Sequence, residues 1–580
     1  MKPVIFVLGP SAMPMARKLK AFLKCDLHGP AGVKDVDLIF QNATLHLANL
    51  FQHGRPIIAL CASGIVVRTL APHLKDKHSE PPVIVVSEDG ATVVPLLGGH
   101  HGANEMARNI AGHLSAHAAI TTASDISLGV SIDEPPPGFV LAEGASVKHA
   151  AARLLAGEKL QLDGTADWLK EFVARDGAVQ ASVTTHNAAE NSLTYHPKSL
   201  VIGVGCERGT DPSELAILVA TTLEHHNLAT QSVAYFASID LKEDEPAINA
   251  MGQVRFFTTK ELNAQSHRVL KPSEVVRAEV GTPSVAEAAA LACAGPDATL
   301  IVSKTKSKRA TCAVAQATAP ILEPGGRNRG VLHIIGLGPG TQAMRSPEAS
   351  LKLSHSTDWV GYDLYLELAM DVYSGQVLYK FPLGAEEARV RHAINLAKQG
   401  KRVALVCSGD AGIYAMASLV FEVISLEPCR IAVDVVPGIS AFQAAAARAG
   451  ALMGHDFCCI SLSDLLTPWP LIENRIKAAA FGDFVVAFYN PRSAKRHDHL
   501  DRALDILRLH RRDDTPVVIA ANLGRQNESV RIVRMDEFSA AEVDMLTIIL
   551  VGSSQSQSGR RGDGSTFAFT PRGYDRKRTT

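Results

Sequence analysis

The chain has 580 residues, 46% of them apolar, enough at roughly 100 to 200 residues per domain for three to five domains with cores of their own. Lys and Arg number 58 against 59 Asp and Glu, a balance that gives no electrostatic footprint for general nucleic-acid or anionic-membrane binding. Nine cysteines without C-x-x-C pairing fit reduced thiols in a cytoplasmic protein, and argue against a disulfide framework or a four-cysteine iron–sulfur site. Residues 1–8 carry one lysine and a short apolar run that passes straight to Gly9-Pro10; with no cleavage region or span of about 20 apolar residues after it, this reads as a first buried strand. Apolar runs of strand length then alternate with alanine-rich segments of helical period, at 56–60, 82–86, 200–204, 299–302, 402–406, 430–435, 483–488, 516–520 and 546–551. Strands apolar throughout belong to parallel sheets covered on both faces, so the predicted class is multidomain α/β with parallel or mixed sheets under helices. Polar breaks at 184–197 and 323–330 divide the chain into 1–125, a bridging region 126–196, 197–320, a linker 321–330, a domain 331–555 and a basic tail 556–580.

In chain order, the first chemical signal is LLGGHHGANEMA at 96–107, which follows a strand and enters a helix. Paired glycines, two histidines, an amide and a carboxylate at one junction exceed what packing demands, and make His100, His101 and Glu105 candidate functional residues. His113 and His117 would share a helical face at i, i+4 as a metal pair, but no acidic third ligand is spaced with them and no metal is predicted. CASGIVVR (61–68) and SEDG (87–90) are further loop ends. Downstream stand VIGVGCERG (201–209), SID (238–240), GTPSVAE (281–287) and VSKTKSKRATCAVA (302–315). Together these stretches resemble the cobalt-precorrin-5A hydrolase family, which implies opening of a lactone with release of acetaldehyde. Such chemistry needs a base for water and a group that polarises the carbonyl. Glu105 or His101 is the expected base, with Arg68, Lys304 or Lys306 on substrate carboxylates or the oxyanion. Glu207 is a competing base or a helix-start charge beside Asp211-Pro212. Lys304, Lys306, Lys308 and Arg309 are either a solvated charge run or a carboxylate-binding one.

HIIGLGPGT at 333–341 has the spacing of a nucleotide fingerprint, yet Thr341 stands where the third glycine belongs and Pro339 removes an amide. A dinucleotide enzyme is thereby disfavoured. CSGDAGIYAM (407–416) and VPGIS (436–440) each follow a predicted parallel strand, at the end where open α/β sheets bind ligands. There Asp410 can accept from an ammonium or hydroxyl, and Gly409 and Gly438 would let a flat ligand meet main chain.

These three loops in this order resemble the tetrapyrrole (class III) methyltransferase family. SLSDLLTPW (461–469), FYNPRS (488–493), ANLGR (521–525), TIILVGS (547–553) and TPRGY (570–574) resemble its precorrin-3B C(17)-methyltransferase branch, although Ala411 stands where many members have proline. The resemblance implies a two-lobed fold with S-adenosylmethionine between the lobes, held by Pro339, Ser408, Gly409, Asp410, Ile413, Ser440, Ala441, Tyr489, Asn490, Ala521 and Thr547. Gly338 and Gly340 would face the tetrapyrrole, and Arg492 would pair with one of its carboxylates. Methylation at C-17 with ring contraction implies a proton-transfer group, for which Asp464 and Tyr489 are candidates; Asp464 is alternatively the N-cap of a helix starting at Leu465. His333 reads as packed or solvated. The expected whole is a fused, homodimeric enzyme of cobalamin biosynthesis acting on precorrin-3B or cobalt-factor III and on cobalt-precorrin-5A, with no nucleic-acid or membrane partner. The alternative makes the N-terminal half a non-catalytic carrier of a corrinoid intermediate.

Overall fold

The computed structural model describes residues 3–76, 80–99, 102–121, 132–133, 135–188, 192–492, 498–544 and 546–574. They form two compact units: Met1–Val331 with Leu396–Lys401 and Cys429–Ala432, and the rest of the chain.

The first unit contains three sheets. In the first, β1 (Val4–Val7), β2 (Asp26–Pro30), β3 (Leu38–Phe40), β4 (Ile57–Leu60), β5 (Val83–Val86), β6 (Thr92–Leu97) and β7 (His117–Ala118) run in the order β3-β2-β1-β4-β5-β6-β7. The first five neighbours are parallel, and β6 turns back against β5. Every residue of β1, β4 and β5 is buried, as their unbroken apolar runs require. Helices Met13–Leu23 and Ala103–Leu114 pack Ala16, Leu19, Ala107 and Ile110 into one core with this sheet. The second helix stops at Leu114 because Ser115 takes a left-handed conformation at φ 56°, so His117 belongs to β7. His113 and His117 therefore share no helix face, and the His113 ring stacks on Phe22 with centroids 3.9 Å apart.

Residues 126–196, read as a bridge, carry a sheet and a core. β8 (Phe139–Leu141), β9 (Leu160–Asp163), β10 (Val179–Val183) and β11 (Leu193–Pro197) are ordered β8-β11-β10-β9 around Leu160, Leu169, Val179 and Tyr195. The third sheet comprises β12 (Leu200–Cys206), β13 (Val233–Ile239), β14 (Val254–Phe257), β15 (Thr299–Lys306) and β16 (Ala310–Gln316), in the order β14-β13-β12-β16-β15. Here β12, β13 and β14 are parallel, while the β15/β16 hairpin is antiparallel. The alanine-rich helix Ala286–Ala294 lies directly on β12: a Cβ at Gly203 would stand 1.8 Å from the Ala286 carbonyl oxygen. The linker is not loose. Phe256 and Arg327 exchange backbone hydrogen bonds of 2.7 and 3.0 Å, and the Arg255 guanidinium donates to the Gly325 carbonyl and the Asn328 side chain, so the stretch covers the open edge of β14.

The second unit has two lobes. Strands β17 (Val331–Gly336), β18 (Asp358–Tyr362), β19 (Val377–Phe381), β20 (Arg402–Cys407) and β21 (Ala432–Val436) form the first, ordered β19-β18-β20-β17-β21. The second is built on β22 (Gly450–Ala451), β23 (Phe457–Ser461), β24 (Val485–Tyr489), β25 (Pro516–Ala521), β26 (Ser529–Arg534), β27 (Thr547–Val551), β28 (Gln557–Arg560) and β29 (Thr566–Phe569). Its main sheet runs β23-β24-β27-β25-β26 and a smaller one β22-β29-β28. Contrary to the parallel expectation, the wholly apolar β25 and β27 are antiparallel. Val517 and Ile519 point into one core and Val518 and Ala520 into another, so the unbroken apolar run reports two covered faces and not strand direction. The segment read as a basic tail is partly structural: its hairpin pairs with β22, and Thr570 donates its hydroxyl to the Leu452 carbonyl at 2.5 Å.

Candidate functional site

In the second unit three glycine-bearing loops meet where β17, β20 and β21 end. Gly338 and Gly409 exchange backbone hydrogen bonds of 3.1 and 2.9 Å, joining the first loop to the second. The Asp410 carboxylate joins the second to the third, accepting from the Gly412 amide at 2.8 Å and the Gly438 amide at 3.0 Å. Both carboxylate oxygens of Asp410 are thus engaged by main chain, where the sequence suggested an acceptor for a ligand's ammonium or hydroxyl.

Each glycine closes a particular contact. A Cβ at Gly336 would lie 2.6 Å from the Gly409 carbonyl oxygen, and one at Gly438 only 2.1 Å from that atom. At Gly338 (φ 79°) it would meet the Met344 carbonyl at 2.5 Å, and at Gly340 the Gly524 carbonyl at 2.6 Å. The close approach at Gly338, Gly340 and Gly438 is therefore loop against loop on the side that a Cβ would occupy. Gly409 differs: at φ 68° its missing Cβ would point into open space. It is the one of these glycines whose α-carbon faces open space, its own N–H and C=O being taken up by Gly338.

Arg525 was not singled out from the sequence. Its guanidinium donates to the Pro339 carbonyl (3.2 Å) and the Ser408 hydroxyl (3.1 Å), tying the second lobe to both loops of the first. The signal available was its place at the end of ANLGR, immediately after the left-handed Gly524 (φ 67°). Tyr414, also missed, bridges the lobes in the same way: its hydroxyl donates to the Cys459 carbonyl at 3.0 Å and accepts from the Ser461 amide at 3.2 Å.

At the end of the third loop, Ser440 caps the helix Ala441–Ala449 in a reciprocal box with Gln443. The Tyr489 hydroxyl is held there by the Ser440 side chain and the Phe442 amide, and burial pushes its pKa up to about 12. Its ring lies 5.3 Å from that of Tyr414, and Ile413 and Ala441 pack on the same core as Phe442. Asn490, at φ 50°, donates to the Ser461 hydroxyl at 3.1 Å. Ala521 and Thr547 face each other across β25 and β27, with the Thr547 hydroxyl donated to Asp544 at 2.6 Å.

Asp464 is not a helix cap. The helix begins at Trp469 behind Pro468, and Asp464 sits in the preceding loop with its carboxylate 3.7 Å from His499 Nε2. His499 is buried, stacks on Trp469 at 4.3 Å, and has Nδ1 3.0 Å from the Leu462 carbonyl; Nδ1–H donates there and Nε2 is left towards Asp464. Arg492 donates one guanidinium N–H to the Ala540 carbonyl at 2.8 Å. His333 is buried beside Asp434, 3.2 Å away, and burial together with Lys352 lowers its pKa.

In the first unit the expected residues are more scattered. Arg68 is exposed and turned onto the Gly64 carbonyl of its own helix. Glu105 is exposed in the first turn of Ala103–Leu114, while His100 and His101 lie outside the described residues. Lys304 is buried, with its ammonium on the Lys271 carbonyl at 2.7 Å, and Lys271 returns a bond to the Lys304 carbonyl; Lys304 is not presented to a substrate. Lys306 at the end of β15 is exposed. Glu207 pairs with Arg309 at 3.0 Å, and Arg309 also donates to the carbonyls of Arg208 and Gly209, so Glu207 is neither helix-start charge nor unpaired base. The residue behind this arrangement is Glu287, fully buried, whose carboxylate accepts from the amides of Leu270, Lys271 and Lys304. No cluster of metal-ligating side chains and no helix long and apolar enough to cross a membrane occurs among the described residues.

Three family models match the chain: Tetrapyrrole (Corrin/Porphyrin) Methylases over residues 331–539, Cobalamin synthesis G N-terminal over 45–125, and Cobalamin synthesis G C-terminus over 200–315. A probable cobalt-factor III C(17)-methyltransferase of Salmonella typhimurium is 43% identical over 244 residues, 42% of this chain and 99% of the relative. A precorrin-3B C(17)-methyltransferase of a Sinorhizobium species is 34% identical, over 42% of this chain and 97% of its own length. A cobalt-precorrin-5A hydrolase of Priestia megaterium is 31% identical over 316 residues, 49% of this chain and 84% of the relative.

Proposed function

This chain belongs to the tetrapyrrole methylase family over residues 331–539 and to the cobalamin synthesis G family over residues 45–125 and 200–315, and from that premise we propose that one polypeptide carries two reactions of cobalamin biosynthesis. The C-terminal part methylates C-17 of precorrin-3B or cobalt-factor III with contraction of the ring. The N-terminal part opens the lactone of cobalt-precorrin-5A and releases acetaldehyde. The observation that carries the first assignment is the glycine-loop cluster, in which every contact but the one at Gly409 is closed by chain.

The tetrapyrrole methylase family uses S-adenosylmethionine, which supplies a methyl group on a sulfonium leaving group. The open space beside the Gly409 α-carbon suits such a ligand, with Pro339, Ser408, Asp410 and Ile413 on one wall and Ser440, Ala441, Tyr489, Asn490, Ala521 and Thr547 on the other. Arg525 and Tyr414 hold the two walls in register. Placement is the main contribution: holding reactants at near-attack distance is worth about 7 to 11 kcal/mol. Tyr489, kept protonated by burial, serves as a hydrogen-bond donor and not as a base. Asp464, facing His499, is the better placed group for moving a proton during ring contraction. The homodimer and the cytoplasmic location belong to the same proposal.

Anaerobic incubation of the pure protein with S-adenosylmethionine and either precorrin-3B or cobalt-factor III, read by mass spectrometry, tests this. A one-methyl gain on either substrate is expected and identifies the route; no gain on both overturns the methyltransferase reading. The engagement of Lys304 and Glu207 in structural bonds favours a second reading for the N-terminal half, a carrier without chemistry. Acetaldehyde release from cobalt-precorrin-5A decides between them.

A further inference from the structure

The first unit contains a cavity of about 670 Å³ that none of the motif residues lines. It lies at the N-terminal ends of β12 and β13, whereas the motif residues Cys206, which ends β12, and Asp240, which follows β13, stand at the opposite ends of those strands. An internal strand among parallel neighbours is ordinarily covered on both faces, yet residues 233–236 at the start of β13 are only half-buried although the strand lies between β12 and β14. The cavity is the gap in that cover. Val219 and Leu223 of the helix Pro212–His225, with Phe236, Met251 and Leu322, make an apolar wall.

Backbone bonds fix the rim. The Lys198 amide donates to the Gly138 carbonyl at 2.7 Å, and the Ile321 amide donates to the Lys198 carbonyl at 2.9 Å. Gly138, at φ 92°, is pressed against Pro320, whose Cβ would lie 2.6 Å from an added Cβ. Among the residues lining the cavity, Lys198 alone carries a formal charge. Its ammonium donates one N–H to the Val233 carbonyl at 3.0 Å, which leaves two. Desolvation lowers its pKa, the response of a cation held beside apolar surface with no anion to offset the loss of water.

We propose that this cavity is a binding site for a small amphipathic monoanion, an apolar chain or ring bearing one carboxylate, with the carboxylate on Lys198 and the apolar body against Val219, Leu223, Phe236 and Met251. The volume falls within the usual range of small-molecule sites, and one cation matches one anion. A tetrapyrrole with many carboxylate arms is excluded by the same count, since all but one arm would face apolar wall.

Isothermal titration of the full-length protein with octanoate, octanol and octylamine tests the site. Octanoate is expected to bind saturably at least tenfold more tightly than octanol, and octylamine not to bind. Lys198→Met should abolish the preference for octanoate while leaving octanol binding in place. Ala220→Trp, on the lining face of the helix, should fill the cavity and remove both; Ala216→Trp serves if that variant does not fold. Absence of saturable octanoate binding, or unchanged octanoate affinity in Lys198→Met, overturns the proposal.

Discussion

The glycine loops of the second unit and the lysine-rich hairpin of the first both carry sequence motifs, yet the two are built in opposite ways. Around Gly336, Gly338, Gly409 and Gly438 side chains are absent so that main chain can meet main chain, and what remains open is the space beside the Gly409 α-carbon. Around Lys271 and Lys304 side chains are present in order to satisfy main chain: Glu287 takes three amides, and each lysine takes the other's carbonyl. A glycine motif at strand ends therefore reports how closely loops must approach. A charged motif can be consumed by the fold it belongs to, and its exposed members, Lys306 and Lys308, are left for a ligand.

The sharpest way to break this contrast is at the glycines. Gly438→Ala puts a methyl 2.1 Å from a backbone oxygen that cannot yield; we expect more than a tenfold loss of S-adenosylmethionine affinity and a stability loss of about 3 kcal/mol, measured by titration calorimetry and urea unfolding. Gly409→Ala faces open space and bears only the strain of a left-handed residue, about 1 to 2 kcal/mol, so it should weaken binding while unfolding far less easily than Gly438→Ala. Equal unfolding of both variants would show that Gly409 is packed and not bared.

Next in size is Glu287→Gln, which sets an amide donor against one of three backbone donors in a fully buried place. A loss of about 2 to 3 kcal/mol in chemical unfolding is expected, with methyl transfer unchanged. Normal stability would mean that the carboxylate is not what holds Lys271 and Lys304. Arg525→Lys follows: one ammonium cannot reproduce the fork that reaches both Pro339 and Ser408, and kcat/KM for methyl transfer should fall about tenfold, or about 1.4 kcal/mol. An unaltered rate would remove Arg525 from the alignment of the lobes.

The smallest effect near neutral pH belongs to the first sheet. His28 is fully buried with Nδ1 2.9 Å from His46 Nε2, and desolvation, together with its neighbours His46 and Arg55, holds its pKa below the ordinary value. Its folded pKa lies below the unfolded one, about 6.5, so the associated stability is present above that pH and is lost as pH falls. Thermal melts should shift downward from pH 7 to pH 5 in the wild type, and the slope should flatten in His28→Gln. A pH-independent melting temperature in the wild type would contradict this.

Much of the second unit was legible because its signals are local. The strands at 402–406 and 516–520 fall inside observed strands, and the three glycine loops follow β17, β20 and β21. What failed were readings that needed to know a residue's partner. Asp464 lies before the helix and not at its cap, and His113 loses its register with His117 one residue beyond the helix end. Arg525 escaped notice because its partners, Pro339 and Ser408, are 186 and 117 residues away in the chain.

The sequence alone determined the α/β class, the loops that bear glycine and the family resemblances, since apolar runs, turn chemistry and motif spacing are properties of neighbouring residues. Tertiary structure alone decided which charges are engaged, which glycines face chain and which faces open space, and that residues 233–236 border a cavity. These depend on atoms brought together from distant segments, and burial or hydrogen bonding by such atoms, not residue type, decides whether a polar group is available for chemistry.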